Sequence, residues 1–139
     1  MGYREDTSIL GNNLKMKIYS CKDEIYKFNF EVVISKWDEF RDFIKNEFKK
    51  DLEINSLSNG MFLDVDENDD YFFFVWFKED VEVHTIVHEA FHLITFILLD
   101  KGIKLSRDCD EAYAYLLDYW FRQIKVIVDK YQKKGVKKK

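Results

Sequence analysis

The stretch Tyr71–Phe77, YFFFVWF, constrains the fold more than any other part of this chain. Side chains on a β-strand alternate between the two faces of a sheet. A run that is apolar at every position therefore puts large groups on both faces, so it must be covered on both sides or line a groove. A second strand, Met61–Val65, precedes it. The two are joined by Asp66-Glu67-Asn68-Asp69-Asp70, and Asn59-Gly60 marks a turn before them. The acidic joint lacks the full ligand series of an EF-hand loop and reads as a solvated hairpin loop, not a calcium site.

The rest of the chain supplies material to cover such a strand. Leu14–Tyr19 and Glu24–Ile34 are rich in β-branched and aromatic residues, with turn residues at Ser20-Cys21-Lys22-Asp23; they read as a β-hairpin. Ser35 is placed to cap a helix, with Asp38 three residues on. Trp37, Phe40, Ile44 and Phe48 follow at helical spacing to about Lys50. Asp80 is placed to cap a further helix running to about Asp100, which Lys101-Gly102 ends. Asp108 is placed to cap a last helix and Gly135 to close it. The expected class is α+β: a small antiparallel sheet, one supporting helix, and two C-terminal helices.

With 139 residues, 47% of them apolar, there is room for one core and not for two, so residues 1–139 read as a single domain with loose ends at 1–12 and 135–139. A net charge of −4 argues against a general nucleic-acid binder. Two cysteines make no disulfide framework, and the N-terminus lacks the apolar run of a signal peptide. No uninterrupted apolar run reaches transmembrane length. The expected location is the cytoplasm, with no membrane partner.

Within the penultimate helix, Thr85–Ile94 reads TIVHEAFHLI and contains His88-Glu89-Ala90-Phe91-His92, the H-E-x-x-H pattern. Residues i and i+4 share one face of a helix, so His88 and His92 can grip one ion. Glu89, about 100° round, can reach a water on that ion. Two imidazoles and a carboxylate base are what zinc-assisted hydrolysis requires. The helix wheel puts Val83, Ile86, Val87, Ala90, Phe91, Leu93, Ile94, Ile97 and Leu98 on one apolar arc. All three histidines of the chain, His84, His88 and His92, fall on the opposite arc with Thr85, Glu89 and Thr95.

A hydrolytic zinc takes three protein ligands and a water. No histidine follows His92, so a third ligand from the last helix must be acidic; Asp108, Asp110, Glu111 and Asp118 are the candidates. Glu111, in the first turn of that helix, can be brought back towards the pair if the two helices pack antiparallel. Its polar phase also suits a plain helix-terminal acid.

TIVHEAFHLI resembles the extended consensus of zincin-type metallopeptidases, with Thr85, Ala90, Phe91 and Ile94 matching. The segment EAYAYLLDYW, from Glu111 to Trp120, resembles the E-x-x-A-Y segment that carries the last zinc ligand in Glu-type zincins, including small H-E-x-x-H proteins of phages and prophages. Together the two segments span about forty residues. The resemblance implies a minimal zincin domain in a bacterial or phage-infected cell. His88, His92 and Glu111 would be the ligands of Zn²⁺, Glu89 the general base, and Tyr115 or His84 a donor to the oxyanion. The substrate would be a protein or peptide. The other reading from a different class is a non-catalytic or zinc-stabilised protein-binding module of phage or mobile-element origin, docking through an aromatic surface.

Overall fold

The computed structural model describes residues 3–6, 16–53 and 58–137, with side chains described within 16–53 and 58–133. Its elements run β1 (Tyr3–Asp6), β2 (Lys17–Asp23), β3 (Phe28–Ile34), α1 (Trp37–Phe48), β4 (Gly60–Glu67), β5 (Asp70–Phe77), α2 (Val83–Asp100) and α3 (Asp110–Lys137). The fold is α+β. The strands form one sheet in the order β1-β2-β3-β5-β4.

The expected antiparallel sheet is in fact mixed, because β3 and β5 pair parallel. The chain leaves β3, crosses through α1, and returns as the hairpin β4–β5. The second strand of that hairpin takes the place beside β3. Burial explains the choice: β5 is apolar on both faces and needs an interior position, whereas β4 carries Asp64, Asp66 and Glu67 and suits an edge.

The second half of β5, Phe74–Phe77, is covered on both faces, whereas Tyr71 and Phe72 at its start stay exposed, contrary to the expectation for the whole run. Val75 and Phe77 join Tyr19, Val32 and Ile34 in a core shared with α2 and α3. Phe74 and Trp76 join Ile18 and Val33 in a second core, shared with Phe40 and Ile44 of α1. Each large side chain buried in this way contributes about 1.5–3 kcal/mol relative to an exposed one.

Several expected turns and caps are displaced, each for a local reason. The β2–β3 turn is Glu24–Lys27, not 20–23. Asp23 closes it by accepting the Tyr26 N–H at 2.8 Å, and its other oxygen accepts the Trp120 indole N–H at 2.7 Å, which ties α3 to the hairpin. Ser35 does not cap α1. Its hydroxyl accepts the Trp76 indole N–H at 3.0 Å, and the Lys36 N–H is instead capped by Glu39 at 3.0 Å. The β4–β5 turn is only Asn68-Asp69, both at positive φ, as a two-residue hairpin of this twist requires, so the flanking acids belong to strands. α2 begins at Val83, not beside Asp80, and ends as expected. Gly102, at φ +76, lets the Ile103 N–H reach the Leu98 carbonyl at 2.9 Å and its own N–H reach that of Leu99 at 2.9 Å.

The chain ends are also more regular than expected. Residues 3–6 form strand β1, paired with β2, and α3 continues through Gly135 to Lys137. The expected strand start at Leu14 lies outside the described residues. Among those residues, α2 is one helix long and apolar enough to cross a membrane by length and composition. Its apolar residues Ile86, Ala90, Leu93, Ile94, Ile97 and Leu98 are fully buried against the sheet and α3.

Cys21 is buried among apolar groups, which pushes its thiol well above the ordinary range, whereas Cys109 is partly exposed in the turn before α3. A disulfide-exchange reagent should therefore titrate one thiol in the native protein and the second only on unfolding. Two thiols reacting at one rate in native protein would contradict the placement of β2.

Candidate metal centre

α2 lies beside the edge strand β4, and the site is built where the two meet. The close approach depends on Gly60. A Cβ there would fall 2.9 Å from the Glu89 Cγ and 2.9 Å from the Thr85 Cγ2, distances so short that these side chains or the helix would have to shift. A turn of β4 backbone is thereby brought against the helix at the motif.

His88 and His92 project from the exposed side of α2 with their rings edge to face, and their Nε2 atoms are 3.2 Å apart. Two nitrogens each about 2.0–2.1 Å from a tetrahedral zinc are separated by about 3.3 Å. The pair is thus preset to the edge of a zinc tetrahedron, and both nitrogens are available from solvent.

Glu89 sits about 100° round the helix from His88, against β4. It is 6% exposed, one of three buried polar or charged side chains among the described residues. The other two, Asp23 and Ser35, are structural, each bonded to a buried tryptophan. Glu89 instead has an Oε2 3.9 Å from the His88 Nε2, and one backbone contact, with Phe62 of β4. Burial raises its pKa above the ordinary carboxylate value; the two histidines and the Phe62 backbone pull the other way with smaller effect. A carboxylate largely buried beside two imidazoles is suited to accept a proton.

Shallow depressions flank Glu89 on both sides. One of about 400 Å³ is lined by Met61, Phe62, His92, Phe96 and Leu99, with Gly60 at its edge. The other, of about 290 Å³, is lined by Ser58, Asn59, His84, Thr85 and His88. The motif therefore forms the floor of a groove whose wall is β4, the outer strand of the sheet. The start of β4 is the part that the motif alone does not reveal. Asn59-Gly60 reads as a turn, and only a glycine at a strand end hints that another element approaches closely.

The remaining expected site residues divide. His84 lines the second depression, with its Nδ1 4.0 Å from Glu82 Oε2. Tyr115 and Glu111 are exposed on α3; among the described residues no third His, Cys, Asp or Glu gathers with His88 and His92. Asp118 accepts a hydrogen bond from Arg122 at 3.0 Å. The apolar arc of α2 is also narrower than the wheel suggests, since Val83, Val87 and Phe91 are exposed.

Comparison of the chain with models of known protein families, with curated proteins and with solved structures finds no match.

Two outcomes follow from the β4–α2 contact. Gly60→Ala should cost about 1–3 kcal/mol of stability, the usual penalty of overpacking, read as a lower denaturant midpoint. Glu89→Gln should raise the melting temperature of the metal-free protein at pH 7. At pH 4, below the ordinary value of 4.5, the carboxyl is protonated in folded and unfolded chains alike and the gain should vanish. As pH rises past that value the unfolded chain ionises first, so the wild type loses stability that the Gln variant keeps. An equal shift at both pH values would show that burial does not raise the Glu89 pKa.

Proposed function

We propose that this protein is a zinc-dependent peptidase with a minimal zincin-like site. The observation that carries the reading is the pairing of two imidazoles set at zinc-ligand separation with a buried carboxylate beside them. Neither feature is needed for folding: the histidines are exposed and make no core contact, and burying Glu89 costs stability.

His88 and His92 would hold the ion through Nε2. Zn²⁺ bound there would supply Lewis-acid chemistry, lowering the pKa of water and polarising a carbonyl. Glu89 takes the proton of the attacking water on its carboxylate oxygen and passes it to the leaving amine. Burial raises its proton affinity above that of an ordinary carboxylate. The outer edge of β4 offers backbone groups to an extended peptide lying along the groove, so that a scissile bond is carried across Glu89. His84, in the depression beside His88, supplies a donor at the groove's other end. On this reading the protein works in the cytoplasm of a bacterial or phage-infected cell.

The alternative is a protein-binding module, which the exposed Val87, Phe91, Tyr115 and Tyr119 favour because they leave apolar surface open on α2 and α3. Glu89→Gln separates the two readings. A peptidase should keep about one zinc per chain and lose at least about a hundredfold in turnover of a quenched-fluorescence peptide mixture. Unchanged turnover would remove Glu89 from the mechanism. Absence of zinc uptake by the wild type would remove the enzyme reading altogether.

A further inference from the structure

We propose that the substrate is a peptide with a large apolar side chain (Phe, Leu or Met), seated in the depression on the His92 side of Glu89. The inference rests on the peptidase reading above and names its substrate class.

The two depressions that meet at Glu89 are chemically unlike. Towards the N-terminus of α2 the lining is polar: Ser58, Asn59, His84, Thr85 and His88. Past His92 it is Met61, Phe62, Thr95, Phe96 and Leu99. Helical spacing produces the change. Glu89, His92, Phe96 and Leu99 follow at intervals of three, four and three, so they share one face of α2. That face passes from the reactive groups to apolar ones within a turn. Glu89 and His92 themselves line the apolar depression, so an occupant lies against the groups that would act on it.

The apolar wall is braced from behind. The Phe96 ring lies 5.5 Å from that of Phe62, 5.0 Å from Phe73 and 6.0 Å from Phe28, centroid to centroid. Phe28 is buried in the core, so the cluster fixes Phe96 to the sheet. A preformed wall spares a ligand much of the cost of ordering it. Leu99, at the outer end, is 49% exposed, and covering it takes apolar surface out of water. The depression, at about 400 Å³, falls in the range of roughly 300–1,000 Å³ usual for ligand sites. Its only ionisable lining groups among the described residues are Glu89 and His92, both assigned to the chemistry. A charged substrate side chain would therefore lose water there without gaining a partner of its own. The Thr95 hydroxyl, in the same wall, is buried with no hydrogen-bond partner among the described residues. An unpaired buried hydroxyl costs about 1–3 kcal/mol. The amide groups that flank a peptide side chain are partners for it that a plain hydrocarbon lacks.

The test uses the full chain in two forms. In metal-free protein, N-acetyl-phenylalaninamide should shift the methyl NMR signals of Thr95 and Leu99, and N-acetyl-alaninamide and N-acetyl-lysinamide should not. Leu99→Asp should weaken binding of the phenylalanine probe at least about tenfold. Val126→Asp, which changes a similarly exposed apolar residue on α3, should leave it unaltered. Circular dichroism of both variants checks that they fold. In zinc-loaded protein, a mixed-sequence peptide library cut and mapped by mass spectrometry should show Phe, Leu and Met dominating one position beside the cut bond. Leu99→Asp should lower the ratio of kcat/KM for Phe over Ala at that position at least about tenfold, and Val126→Asp should not change it. Absence of shifts at Thr95 and Leu99 would overturn the assignment. Cleavage without preference, or with a preference for charged residues, would also overturn it and leave the peptidase reading standing. Probe binding at Thr95 and Leu99 with no peptide cut would overturn the peptidase reading and keep the apolar seat as a binding site.

Discussion

The second half of β5, Phe74–Phe77, has to be kept dry on both faces, and the arrangement of the other elements follows from that demand. Phe74 and Trp76 point to α1, and Val75 and Phe77 point to α2 and α3. A strand buried on both faces has to sit inside the sheet, so β5 pairs with β3 on one side and β4 on the other. That placement leaves β4, the more acidic strand, as the outer strand of the sheet. It also sets α2, which packs under β5, alongside β4. The groove is thus a by-product of how the core is closed, and the H-E-x-x-H helix is its floor.

The site shows which of its features are compatible with stability and which are costly. The exposed histidines cost the fold almost nothing, since neither packs into the core and neither makes an obligatory bond. Glu89 is different. Its burial beside Gly60 and Phe62 lifts its proton affinity, because burial penalises the charged form. Asp23, equally buried, is repaid by two short hydrogen bonds that join the β2–β3 turn to α3. One buried acid therefore holds the fold together, and the other is tolerated by it, which marks the second as serving the site.

Much of this was legible in the sequence because it rests on period and composition. The double-sided burial of Phe74–Phe77, the aromatic stripe of α1 and the helix around His88 and His92 all follow from spacing alone. Three things were not. The parallel joint between β3 and β5 depends on which strand of a hairpin is the drier, a comparison made across the whole sheet. The burial of Glu89 depends on Gly60, twenty-nine residues away, allowing β4 to close on α2. The relation of α3 to the histidines depends on two tertiary hydrogen bonds, at Tyr113 and Gln132, that no local pattern encodes.

The most direct test of the account is an anomalous-difference map at the zinc edge from crystals of the zinc-loaded protein. One peak within about 2.0–2.1 Å of both the His88 and His92 Nε2 atoms, on the side of the helix open to the groove, is the predicted result. A peak elsewhere on the chain, or none while the two rings remain hydrogen-bonded to each other, would contradict it.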